Sequence, residues 1–181
     1  ADKVLLIVKG LLNFARLNES SQKMADIHEG LDSTLVLLNN KIQKQQMLVE
    51  KQYLRSIPRT YCQPSELNQV FMSVINNALE ASAPKSTLII RTDLSADNEI
   101  IIKFQDEGCG MPPEIMGKIF DPFFTTKDVG KGKGLGLASS LGIVQKHEGN
   151  IQVTSEVGAG TTVTITIPVN QLGAHEHDEE L

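Results

Sequence analysis

The stretch "GKGKGLGLASS", residues 130–140, places four glycines in seven positions and then runs into the start of a helical pattern. Glycine is the worst helix former after proline, so backbone entropy is being spent where a helix begins. A floppy linker would need polar filler, whereas Leu135, Leu137 and Ala138 are followed by Leu141, Ile143 and Val144 at roughly helical spacing. The loop is therefore anchored to a buried helix. Two readings stay open for it: a tight structural turn, or bare backbone offered to an anionic ligand at a helix N-terminus, where free N–H groups and the helix dipole both favour negative charge. It is neither a Walker loop nor a dinucleotide fingerprint. No Lys-Ser or Lys-Thr follows the required spacing, and no strand-like run immediately precedes it.

Outward from the loop, "NIQVTSEVGAGTTVTITIPV" on one side reads as a β-hairpin. On the other side, "STLIIRTDLS" and "EIIIKFQDEG", joined by the turn-forming "ADN", read as another. Further upstream, "PSELNQVFMSVINNALEAS" is a long amphipathic helix with Pro64 in its first turn and Ser65 or the residues before it as cap. Before that, "MLVEKQYL" is a strand, and Ile27, Leu31, Leu35 and Leu38 mark an earlier helix. Residues 3–17, "KVLLIVKGLLNFARL", put Val4, Ile7, Val8, Leu11 and Phe14 on one face. That face is wide enough to favour half of a dimerising helical hairpin over a helix packed on its own domain. The order predicts an α+β two-layer sandwich, a mixed sheet with helices packed on one face. Its organisation is a partial hairpin helix over 1–22, a main domain over 23–170, and an acidic, disordered tail over 171–181.

The net charge is −5, and Glu176, Asp178, Glu179 and Glu180 in the tail supply most of it, so no basic nucleic-acid footprint exists. The run "VLLIV" is broken by Lys9 after five residues, far short of a membrane span, and no signal-peptide cleavage pattern follows. Cys62 and Cys109 suit neither a metal site nor a disulfide framework, which fits a reducing cytosol.

Four stretches, read in order, resemble one family. "SVINNALEAS", "DEGCGM", "IFDPFFTTK" and "GAGTT" are similar in order and spacing to the ATP-binding core of two-component sensor histidine kinases, within the gyrase, Hsp90, histidine kinase and MutL superfamily of Bergerat-fold ATPases. The resemblance covers about residues 26–170. It implies ATP and Mg²⁺ as ligands and assigns Asn77 and Lys127 to catalysis, with Asn77, a hard amide-oxygen ligand, also holding Mg²⁺. Asn76, about 100° further round the helix, is expected to be solvated. Glu80 and Ala81 are implied in nucleotide contact.

By the same resemblance Asp106 accepts the exocyclic amino hydrogen of adenine, since a carboxylate accepts and does not donate. Gly108, Gly110 and Met111 turn the chain beneath the base, and Ile119 and Thr162 complete that part of the site. Cys109 is expected as a small filler. Phe123 and Phe124 are expected to anchor a flap, with Lys127 near the γ-phosphate. Lys131, Gly132, Lys133, Gly134, Leu135, Gly136 and Leu137 form a lid that meets the triphosphate with N–H groups and point charges.

The resemblance further implies transfer of the γ-phosphoryl group to a histidine, relay to the aspartate of a response-regulator receiver domain, and a homodimer formed through the N-terminal helix. No direct nucleic-acid contact and a cytoplasmic setting are expected. "NALEA" is familiar among nitrogen-regulation-like kinases. The acceptor histidine is expected upstream of Ala1. His28-Glu29 is a poor substitute, because Gly30 follows it and no proline does. His147 is expected to cap a helix end.

Ser73 stands where most of these kinases carry Asn and where the superfamily's hydrolases carry Glu. Without that Glu no base is available to activate water, which weighs against a chaperone-like ATPase. A nucleotide-binding scaffold acting only through partners is the remaining alternative.

Overall fold

The computed structural model describes residues 21–126 and 134–170. The helix expected over 3–17, the tail over 171–181, and Lys127, Lys131, Gly132 and Lys133 lie outside the described residues. Strand β1 (Lys23–Ala25) leads to helix α1 (Ile27–Gln45). Strands β2 (Leu48–Gln52) and β3 (Thr60–Cys62) precede α2 (Pro64–Ala81). The hairpin β4 (Thr87–Leu94) and β5 (Glu99–Asp106) is followed by the short α3 (Pro113–Met116), then α4 (Gly136–Lys146) and the hairpin β6 (Asn150–Glu156) and β7 (Gly160–Pro168).

The large sheet has the order β2-β4-β5-β7-β6, and only β2–β4 is parallel, so it is the mixed sheet expected. Alternation decides its faces. Leu88, Ile90 and Thr92 of β4, Ile100, Ile102 and Phe104 of β5, and Val163, Ile165 and Ile167 of β7 are buried, while Arg91, Lys103 and Gln105 between them are exposed. The inward face takes α1 through Leu31, Leu35 and Leu38, α2 through Leu67, Val70, Phe71, Val74 and Ile75, and α4 through Val144. Residues three and four apart on each helix fill this layer, each fully buried side chain contributing about 1.5–3 kcal/mol.

Three short elements were not expected. The three-residue strands β1 and β3 pair with each other apart from the main sheet, and α3 is four residues long. None is long enough to show a period. The cap of α2 is Gln63, whose side chain makes no capping bond; Lys146 of α4 instead reaches Gln63 Oε1 at 3.2 Å and Glu66 Oε1 at 2.6 Å. That link ties the start of α2 to the end of α4. His147 closes the same corner: its Nδ1 donates to Ile143 O at 2.8 Å and its Nε2 accepts from Gln63 N at 3.0 Å, a neutral tautomer in a structural end-cap, as expected.

Candidate active site

The inward alternation of β5 runs Ile100, Ile102, Phe104 and then Asp106, a carboxylate at a core position that is only 7% exposed. A buried acid there costs free energy unless it is hydrogen-bonded or paired. Its Oδ1 accepts from Gly108 N at 2.8 Å and Thr161 N at 3.2 Å. Burial pushes the carboxyl upward from the ordinary carboxylate range, and these two N–H groups pull it partly back. Both bonds fall on Oδ1, and Asp106 lines a cavity.

That cavity has a volume of about 930 Å³ and lies between α2, the sheet and the glycine loop. Its size suits a large small-molecule ligand. The helix α2 contributes Asn77, Glu80 and Ala81; the chain after β5 contributes Gly110, Met111 and Ile119; the far rim contributes Gly134, Leu135, Gly136 and Leu137. All of these were expected, and the structure gathers them around one space.

Gly110 has φ +66°, and a Cβ there would come within 1.9 Å of Glu156 O, so the bend after Asp106 is possible only with glycine. The same bend is pinned by Cys109 N to Ala81 O at 3.0 Å, Gly158 N to Cys109 O at 2.8 Å and Met111 N to Ser155 Oγ at 2.9 Å.

The structure refines or corrects several expectations. Gly108 does not line the cavity; it acts on Asp106 through its N–H. Thr162 faces away, and Thr161 lines the wall in its place, because the strand's period of two gives Thr161, Val163, Ile165 and Ile167 the inward positions. Asn76, expected to be solvated, is partly exposed and also lines the cavity, its Oδ1 accepting from Lys41 Nζ at 2.9 Å at the surface. Phe123 is 74% exposed and anchors nothing with its ring; its backbone N–H donates to Gly134 O at 2.8 Å, while Phe124 lines the cavity. Cys109, expected as a filler, is exposed on the cavity wall.

Sequence reasoning missed Lys41, Phe104, Ile115, Thr125 and Thr161 among the lining residues. The alternation that marks Asp106 also marks Phe104 two residues earlier; nothing local marks Lys41.

At the rim, α4 starts at Gly136 behind Leu135, with no side chain capping it, and a Cβ on Gly136 would come within 2.7 Å of Ser73 Oγ. A small residue at 73 and glycine at 136 let the α4 N-terminus approach α2 closely. His28 lies elsewhere: its Nε2 is 2.9 Å from Thr92 Oγ1 and its ring stacks on Tyr53 at 4.5 Å. Among the described residues no group of three or more His, Cys, Asp or Glu could hold a metal ion, and no helix is long and apolar enough to cross a membrane.

With this geometry in view, comparison with known proteins is decisive. Residues 62–171 match the family model described as histidine kinase-, DNA gyrase B-, and HSP90-like ATPase. The chain belongs to that family and carries the ATP-binding catalytic domain of sensor histidine kinases. It is 33% identical over 147 residues to sporulation kinase E of Bacillus subtilis (strain 168), covering 81% of this chain and 20% of that protein. To the signal transduction histidine-protein kinase AtoS of Escherichia coli (strain K12) it is 31% identical over 172 residues, 95% of this chain and 28% of that one. The chain thus spans between a fifth and a third of the length of these relatives. Among solved structures, the nucleotide-free catalytic domain of histidine kinase ThkA superposes with a TM-score of 0.74 at 26% identity, over 83% of this chain and 97% of that one. ThkA in complex with the response regulator protein TrrA shares the fold at 23% identity and a TM-score of 0.71, over 93% of this chain and 48% of that one.

Proposed function

We propose that the cavity binds Mg-ATP with adenine against Asp106 and the phosphates toward the N-terminus of α4. Asp106 carries this reading. Its Oδ1 is occupied by two backbone N–H groups, so Oδ2 offers a fixed acceptor to an exocyclic amine, and guanine, with a carbonyl at that position, is refused. Gly110, Met111 and Ile119 flank the base on this reading, with Ala81 and Glu80 at the end of α2 beside it.

Asn77 suits Mg²⁺, which takes hard oxygens, keeps waters and shares phosphate oxygens, so a site without a carboxylate cluster fits it. Bound with ATP, the ion would neutralise charge developing on the phosphates. Lys127, Lys131, Gly132 and Lys133 complete the phosphate side, joining Gly134 through Leu137 in a lid.

In the transfer, the bond from the γ-phosphorus to the bridging oxygen breaks, ADP leaves, and a histidine nitrogen takes the phosphoryl group in line. His28, held between Thr92 and Tyr53, is not that histidine. Ser73 offers no carboxylate to orient water, which favours transfer over hydrolysis. A receiver-domain aspartate then takes the group, a reading supported by ThkA's complex with a response regulator. The broad apolar face over residues 3–17 supports pairing with a second copy, the two unpaired cysteines support a cytoplasmic setting, and "NALEA" supports a nitrogen-regulation-like subgroup.

Calorimetry with Mg-ATP and Mg-GTP tests the base assignment. Wild type should prefer ATP, and Asp106→Asn, whose amide nitrogen would turn a donor toward the adenine amine, should lose about 1–3 kcal/mol of ATP affinity. Equal ATP affinity in the two proteins would sink the assignment.

A further inference from the structure

Along α2, the Ala81 end touches the loop that follows Asp106, through Cys109 N to Ala81 O, whereas the Ser73 end touches the N-terminus of α4 at Gly136. At 1.5 Å per residue these ends are about 12 Å apart, so a nucleotide with its base at Asp106 lays its phosphates beside the turn Ser73–Asn77. That turn is where Lys41 arrives from α1, its Nζ donating to Asn76 Oδ1 at 2.9 Å.

The charged residues lining the cavity, among those described, are Lys41, Glu80 and Asp106. Lys41 is thus the one positive side chain on the described walls, facing a ligand that is itself strongly anionic. An ammonium carries three donors and Asn76 takes one, leaving two for phosphate oxygens. The bond to Asn76 also narrows the directions that a flexible four-carbon stem would otherwise explore, and so lowers the entropy lost on binding.

We propose that Lys41 is a phosphate-binding residue of the nucleotide site, supplied from the neighbouring helix to the turn that carries Asn77. This rests on the reading of the cavity as the ATP site. Lys41 is exposed and lies outside the hydrophobic core cluster, so its replacement should leave the fold intact.

The test titrates wild type, Lys41→Ala, Lys41→Arg and Asn76→Ala with a non-hydrolysable ATP analogue and Mg²⁺ by calorimetry, and with adenosine by amide chemical shifts. Lys41→Ala should weaken the analogue roughly tenfold, as expected for one charge-assisted hydrogen bond, and leave adenosine unchanged. The deficit should shrink as salt rises, and Lys41→Arg should recover most of it. Asn76→Ala should lose less than Lys41→Ala. Unchanged analogue affinity in Lys41→Ala would overturn the proposal while leaving the cavity reading intact. Equal losses in Asn76→Ala and Lys41→Ala would overturn direct contact in favour of a tether, and an equal loss for adenosine would show a general structural effect instead. Wild type binding neither compound would overturn the cavity reading and this proposal together.

Discussion

The two sides of the cavity are built by different rules. On the sheet side, Asp106 is locked by two N–H bonds, and Cys109, Gly110 and Met111 are each pinned to α2 or to the β6–β7 hairpin by backbone contacts. On the loop side, Phe123 and Leu135 are exposed, α4 begins without a side-chain cap, and among the described residues Phe123 is joined to Gly134 by backbone contact, its N–H donating to Gly134 O. The first side is constructed like a core and the second like a surface. With the base on the sheet side and the phosphates on the loop side, as proposed, the contrast suits the ligand: a base has a fixed hydrogen-bonding edge, which rewards rigidity, and a phosphate chain must arrive, react and leave, which rewards a side that can open.

Substitution at Gly110 attacks the rigid side most directly. Gly110→Ala places a Cβ against Glu156 O at a positive φ, and backbone strain plus overpacking should cost roughly 3 kcal/mol of folding stability. Denaturant melts measure it. A loss below about 1 kcal/mol would mean that the β6–β7 hairpin yields and that the sheet side is not rigid.

On the proposed reading, Asn77 separates the two sides by function. Asn77→Ala should lower phosphoryl transfer to a supplied histidine domain by about 10²–10³, as for other removed groups that stabilise transition-state charge. Adenosine, which reads only the sheet side, should bind within about twofold of wild type. Transfer at the wild-type rate would show that Asn77 has no part in metal or phosphate chemistry.

How far the sequence foretold this division depends on period. Asp106 was legible through the resemblance carried by "DEGCGM" at the end of a strand, and its place in the alternation of Ile100, Ile102 and Phe104 accounts for its burial. Thr162 was an error of parity: on a strand, one residue is the difference between wall and outer face, and the bend at Gly160 resets the count. In "DPFFTTK" the two phenylalanines look alike as apolar anchors, but the backbone of Phe123, held to Gly134, leaves its ring exposed while Phe124 lines the cavity. Asn76 and Lys41 depend on how α1 crosses α2, thirty-five residues apart in the chain, and no local pattern encodes that crossing. Helices and hairpins were readable from their periods and the site residues from the motif resemblance, whereas Asn76 and Lys41, whose contact comes from packing alone, were not.

The electrostatic cost at Asp106 gives a subtler measure of the same contrast. Because burial raises its folded-state pKa, the folded protein holds this proton to higher pH than the unfolded chain does, and wild-type stability falls as pH rises from the ordinary carboxylate range through the raised value. Asp106→Asn has no proton to lose there. The nucleotide-free variant should therefore gain stability relative to wild type as pH climbs through that window, even while it binds ATP less well. Parallel stability curves for the two proteins would mean that Asp106 is not held under strain for its task.

Gly142 offers the smallest effect and the sharpest control. It lies within α4, the helix whose N-terminus forms the loop-side rim, and a Cβ added there meets nothing within 4 Å. Gly142→Ala removes conformational freedom from the unfolded chain and improves helix propensity, so it should stabilise the protein by about 0.5–1 kcal/mol. The opposite sign from Gly110→Ala, for the same chemical change, is what separates a glycine demanded by close approach from one merely tolerated in a helix. If α4 must loosen for product to leave, the stabilised variant should also turn over more slowly when ADP release limits the rate, with the transfer step itself unchanged. A single-turnover measurement beside steady-state turnover decides this. Equal slowing in both would place the effect of α4 on the chemistry, and the loop side would then prove as rigid in its work as the side that holds Asp106.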